Sequence, residues 1–184
     1  SALGANTTGQ KNVAVGTVAA DATTTGSNNT AVGYNAFGAA TSGSSNTVVG
    51  SEALGSAANT ANNNTAVGYA ALTANTTGTN NVAIGANALD ASTTAGQNVA
   101  VGVEVLGLTT TGGNNTAMGY YALGNNTTGS SNTAYGYGAL DANTTGIYNV
   151  AVGDGALGDN TTASYNTAVG RNALLDNTTG DSLV

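Results

Sequence analysis

A five-residue block, Asn-(Thr/Val)-Ala-Val-Gly, recurs along the whole chain and organises everything between its copies. Its closing glycines are Gly16, Gly33, Gly50, Gly68, Gly85, Gly102, Gly119, Gly136, Gly153 and Gly170, spaced by 17 residues except for 18 between Gly50 and Gly68. Its leading asparagines never vary: Asn12, Asn29, Asn46, Asn64, Asn81, Asn98, Asn115, Asn132, Asn149 and Asn166. The residue before the glycine is always large and apolar, Ile84, Met118 and Tyr135 included. The one before that is Ala, with Val48 the exception. Leu or Phe follows four residues after the glycine, Ala20 being the one small substitute. The unit reads N-T-A-V-G-Y-x-A-L-x-x-N-T-T-G-x-x, nearly as in the segment from Asn64 to Asn80.

A helix of ordinary length does not fit a 17-residue unit so rich in Gly, Asn and Thr. The stretch Thr-Ala-Val-Gly-Tyr alternates instead, with Thr or Val, then Val, then Tyr on one face and Ala and Gly on the other. Asn-Thr-Thr-Gly carries turn chemistry, because Asn and Gly both tolerate positive φ. Each unit therefore predicts one coil of two short strands and two turns. Stacked at ~4.8 Å, the coils make an all-β parallel β-solenoid or β-roll about 50 Å long. Residues 1–184 form a single array of nearly eleven 17-residue coils, with a one-residue insertion within 56–63 that lengthens a turn.

Stacking places like residues above one another, so the invariant Asn and Gly positions are expected as structural ladders. A stacked Asn amide donates and accepts along the axis, which makes its burial tolerable. The glycine is expected to supply positive φ or a close backbone approach. The Ala face is read as a flat contact strip toward another chain or sheet: Ala31, Ala66, Ala83, Ala100, Ala117, Ala134, Ala151 and Ala168. The reason is energetic. Each coil contributes only two large apolar side chains, the residue before the glycine and the Leu, against the entropy of ordering the whole coil. The chain begins part-way through a unit and neither end looks like a polar cap, so an excerpt of a longer fibre or an end-to-end subunit is expected.

Composition narrows the functions. Only 6% of residues are charged, which separates the chain from charge-rich disordered sequences. The formal charge is −7 with Lys11 and Arg171 the only cations, too few to neutralise nucleic-acid phosphates. No apolar run approaches the ~18 residues of a membrane span, so membrane insertion is not expected. There is no Cys or His, hence no disulfide framework, no usual zinc site and no His-based triad. The calcium-roll signature G-G-x-G-x-D is missing. Asp154 with Asp159, and Asp176 with Asp181, share coils, but no insertion builds a pocket around them and they read as solvated charges. No cofactor, no metal and no catalytic residue is assigned; the chain is expected not to be an enzyme.

The N-T-A-V-G-Y-x-A-L block, as in Val82-Ala83-Ile84-Gly85 and Val99-Ala100-Val101-Gly102, resembles repeats of bacteriophage tail fibres and bacterial surface fibres. More loosely it is similar to the head of YadA-like trimeric autotransporter adhesins. The resemblance implies an extracellular segment of a cell-surface or virion appendage, oligomeric (trimeric, or an end-to-end filament), with a spacer or attachment role. Self-association is thus the expected partnership, with a surface glycan or host receptor as the target.

Two ligand-binding readings stand beside it. Tyr120, Tyr121, Tyr137, Tyr148 and Tyr165 form a candidate ligand surface for carbohydrate or a partner, though packing between chains explains them equally well. The Thr pairs, such as Thr7-Thr8, Thr76-Thr77, Thr127-Thr128 and Thr144-Thr145, suit an ice-binding face if stacked, but each pair gives only one rank. The simpler reading has these hydroxyls satisfying turn backbone groups.

Overall fold

The computed structural model describes residues 1–55 and 59–184. It is a parallel β-solenoid of about 17 residues per coil. Its strands, of three residues each, are β1 (Val13–Val15), β2 (Thr30–Val32), β3 (Thr47–Val49), β4 (Thr65–Val67), β5 (Val82–Ile84), β6 (Val99–Val101), β7 (Thr116–Met118), β8 (Thr133–Tyr135), β9 (Val150–Val152) and β10 (Thr167–Val169). They form one ten-stranded sheet in chain order. Like positions pair throughout, as in Val82 with Val99, Ala83 with Ala100 and Ile84 with Val101.

Each coil carries one strand, where the sequence pattern predicted two. The rest of the coil is turn, because left-handed residues interrupt the extended backbone. In the coil beginning at Asn64 these are Ala70 (φ 53°), Leu72 (φ 55°) and Asn80 (φ 60°), and the same three positions recur along the array. Positive φ therefore falls after the glycine and before the leading Asn, not in Asn-Thr-Thr-Gly as expected. A left-handed Leu costs about 1–2 kcal/mol, while its burial yields about 1.5–3 kcal/mol. Leu72, Leu89, Leu106, Leu123, Leu140 and Leu157 are all fully buried.

The two faces of the strand are the reverse of the expected arrangement. The central Ala points into the coil: Ala31, Ala66, Ala83, Ala100, Ala117, Ala134 and Ala151 are 0% exposed and Ala168 is 2% exposed. These residues are core of their own chain and offer no strip to another. The residues before the glycine point outward, Val15 (58%), Ile84 (39%) and Val169 (70%) among them. The interior is narrow: the strand Ala, a second Ala such as Ala88 or Ala122, and the left-handed Leu fill it. It also takes a larger residue at either Ala position: Val48 on the strand and Val105 in the turn are fully buried beside Leu54 and Leu106. Phe37 shows the limit. It replaces Leu in the coil where Ala40 stands at a position filled elsewhere by Asn, Thr or Ser, and both are fully buried.

Positive φ and close backbone approach, expected as alternatives at the invariant glycine, occur together. Gly85 has φ +133°, and a Cβ there would collide with the carbonyl of Gly102 in the next coil. The insertion within 56–63 is also narrowed. Coils pair in ordinary register where the Phe37 N–H donates to the Ala53 carbonyl (3.0 Å), and with a one-residue offset where Thr41 donates to Asn59 (3.1 Å). The offset thus falls between Ala53 and Asn59; residues 56–58 lie outside the described residues. No helix among the described residues is long and apolar enough to cross a membrane.

Two glycine substitutions in adjacent coils separate these constraints. Gly85→Ala puts a methyl against backbone at a strained φ and should destabilise its neighbourhood by about 3 kcal/mol or more. Gly78→Ala also sets a Cβ against a backbone carbonyl, that of Ala95, but its φ is not left-handed and Ala61, Ala95 and Ala163 occupy the same place in other coils, so it should cost about 1 kcal/mol or less. Hydrogen exchange read coil by coil would distinguish them; equal losses of protection would contradict the argument from positive φ.

Candidate functional site

Two polar ladders run through the interior. The leading Asn ladder is where it was expected, but its bonds go chiefly to backbone rather than from amide to amide. Asn81 Nδ2 donates to the Ala95 carbonyl (2.9 Å), and its Oδ1 accepts from the N–H of Asn98 (3.0 Å). Asn98 and Asn115 repeat the pattern with Gly112 and Gly129. Each side chain thereby satisfies one donor and one acceptor of the next coil where no water reaches them. An amide fits because it carries both functions on one planar group; Asp would lose the donor.

The second ladder escaped the sequence reading, which saw only turn chemistry in Asn-Thr-Thr-Gly. Its Asn is buried: Asn143 Nδ2 donates to Asn126 Oδ1 (2.9 Å), and Asn160 Nδ2 to Asn143 Oδ1 (3.0 Å). The signal was available, since this position varies among Asn, Thr, Ser and Ala but never carries a charge. Next to it, the first Thr of each pair bonds backward into the fold. The carbonyl of Thr144 accepts from Thr127 N–H (2.9 Å), Thr128 N–H (3.2 Å), Gly129 N–H (3.3 Å) and Thr127 Oγ1 (3.0 Å). The second Thr, as at Thr77, Thr94, Thr128 and Thr145, is exposed. Each pair thus gives a single outward rank.

The outward sheet face is an organised surface that runs the length of the array. Three ranks run along it: the first strand residue, the last strand residue and the residue after the glycine. From β2 to β8 none of them is charged, and Val49, Ile84 and Tyr135 sit there well exposed. Asp154 and Arg171 follow in the rank after the glycine, 3.9 Å apart and both open to solvent, where such a pair adds little stability.

The candidate tyrosines do not form one surface. Tyr120 and Tyr137 stack at 5.5 Å with planes 11° apart just after their strands, and Tyr121 lies 6.0 Å from Tyr120. Tyr148 and Tyr165 stack at 5.3 Å just before β9 and β10, at the opposite end of the strands. The stacks arise because equal positions in neighbouring coils bring aromatic rings together. Asp90 and Asp141 sit half-buried in the turns after the Leu. Burial raises both carboxyls above the ordinary range, with Glu104 adding to the effect at Asp90 and Asp159 at Asp141. Among the described residues no group of three or more His, Cys, Asp or Glu is placed to hold a metal ion.

Comparison with protein-family models, with curated proteins and with solved structures finds no match to this chain.

A fault in the second ladder gives a direct test of its energetics. Asn75 Oδ1 and Ser92 Oγ are both buried and neither has a hydrogen-bond partner, although they occupy successive rungs. Ser92→Asn restores an amide opposite Asn75 and should raise stability by about 1–2 kcal/mol in denaturant unfolding. Acid titration tests the buried carboxyl. The folded chain holds the Asp141 proton more tightly than the unfolded chain, so stability falls as pH rises from the ordinary Asp range through the raised folded value. Asp141→Asn should remove that part of the decline, and a pH–stability curve unchanged by the substitution would refute it.

Proposed function

We propose that this chain is a structural segment of an extracellular or virion appendage, a rigid rod that assembles with copies of itself and serves as fibre, stalk or adhesive surface. The observation that carries the reading is the outward sheet face, apolar to weakly polar and uncharged from β2 to β8. Monomeric proteins seldom leave so long an apolar strip unpartnered. Seven coils at ~4.8 Å, by five residues at ~3.3 Å, give roughly 550 Å² per chain, or about 1,100 Å² over two partners, which clears the size of a specific interface. A second copy is the fitting occupant because only a surface of the same axial repeat keeps its ridges in register with these ranks from one end to the other. The resemblance to tail-fibre and adhesin-head repeats adds to this reading and favours a trimer. No catalytic chemistry is assigned.

A second reading rests on the exposed Thr rank, which could order water as an ice-binding surface. Its neighbouring outward rank is mixed, with Thr79, Gly96, Gly113 and Ile147 in it, so only one regular line of hydroxyls is presented. Thermal hysteresis of the purified chain would favour this reading over assembly.

Charge placed on the sheet face tests the first reading. Val67→Lys with Val101→Lys adds two outward ammonium groups without entering the core. Light scattering should find a closed oligomer for the parent chain and a monomer of unchanged melting temperature for the variant. A parent chain that is monomeric at tens of micromolar would refute assembly through this face.

A further inference from the structure

We propose that a cavity bridging three successive turns binds one neutral pyranose ring of a glycan, stacked on Tyr121 and held by Asn87, Asp90 and Glu104. The cavity is about 120 Å³ and opens to solvent between the residues two and five positions after the glycines of β5, β6 and β7. Its floor is Gly107. Other coils carry Asp21, Thr73, Asp90 or Asp141 at this place, so the backbone there accepts a side chain.

Gly107 has no structural reason to be glycine. Its φ is not left-handed, and a Cβ would meet nothing nearer than the Glu104 carbonyl at 3.4 Å and Asp90 Oδ1 at 3.5 Å. The other glycines of the same column differ. Gly38 lies against the Asn35 side chain, and a Cβ on Gly124 would strike the Tyr121 ring at 2.6 Å. The ring of Tyr121 thus lies across Gly124 as one wall of the cavity. The one effect of leaving Gly107 bare is that the floor stays open.

The lining matches the two-sided chemistry of a sugar. Tyr121 and the exposed Leu108 give an apolar surface for the C–H face of a ring. Asn87 can donate and accept, and Asp90 and Glu104 accept from hydroxyl hydrogens. Two carboxylates with no cation among the lining residues disfavour an acidic sugar. At about 120 Å³ the cavity is smaller than an ordinary ligand pocket and seats one face of a single ring, the rest of the sugar chain staying in solvent.

The inference does not rest on assembly, because the cavity lies in the turns and not on the sheet face. The full chain would be titrated with methyl glycosides of glucose, galactose, mannose and N-acetylglucosamine, and with their short oligosaccharides, using saturation-transfer NMR. At least one should bind. Gly107→Thr fills the floor with a residue native to this column and should weaken binding at least tenfold without lowering the melting temperature. Tyr121→Ala, for which Ala70 is the precedent, should do the same, while Tyr148→Ala should not. The monomeric Val67→Lys, Val101→Lys chain should bind as the parent does, which keeps this test separate from assembly. No binding across the panel, undiminished binding by Gly107→Thr, or calcium binding at Glu104 in place of sugar would overturn the proposal.

Discussion

The whole molecule depends on one requirement: every coil must hand its backbone hydrogen bonds to the next at a single strand spacing. At the glycine that closes each of β1 to β9, φ lies in the positive region and the following coil's carbonyl sits where a Cβ would be, so no other residue serves. At the leading Asn, the following coil offers an N–H and a C=O with no strand partner and no water, and one amide answers both. The invariance of these two positions is thus a consequence of stacking, repeated as often as the coil is.

The narrow coil then decides which side chains go inside. With the next coil a strand spacing away and the turn close behind the strand, the interior accepts Ala from the strand and Leu from the turn, with little space left over. Most strand Val and Ile residues, though more apolar than Ala, take the outward positions, while Val48 and Val105 are fully buried beside Leu54 and Leu106. Apolar area that would stabilise a thicker core is left on the surface. The proposed assembly follows from that inversion, because a flat, uncharged, periodic face is the kind of surface another copy can cover.

Polar groups inside the coil reinforce the stacking rather than oppose it. The two ladders and the converging Thr-Thr-Gly amides satisfy backbone groups of the neighbouring coil, so each coil is specified by the one beside it. Rigidity along the axis and tolerance of variation in the turns come from the same arrangement. The turns accept Asp, Thr or Gly after the Leu without disturbing the ladders, and it is there that a local cavity can open at Gly107.

The period, the parallel stacking, the ladder of leading Asn and the double role of the glycine were all legible in the sequence, because they depend on equal positions meeting one another. A repeat states that directly. The offset between Ala53 and Asn59 was legible for the same reason. What the sequence could not decide was the direction of each face. Alternation separates Ala from Val but is symmetric about which of them is inside, and hydrophobicity pointed to the wrong side. The answer depends on the space left by Leu72 and its equivalents, whose left-handed backbone carries no mark in the sequence because Leu is not a residue that favours it. The division of the tyrosines into two stacks and the bare floor at Gly107 were likewise decided by the turns. Only the tertiary structure shows where those turns bring separate coils together.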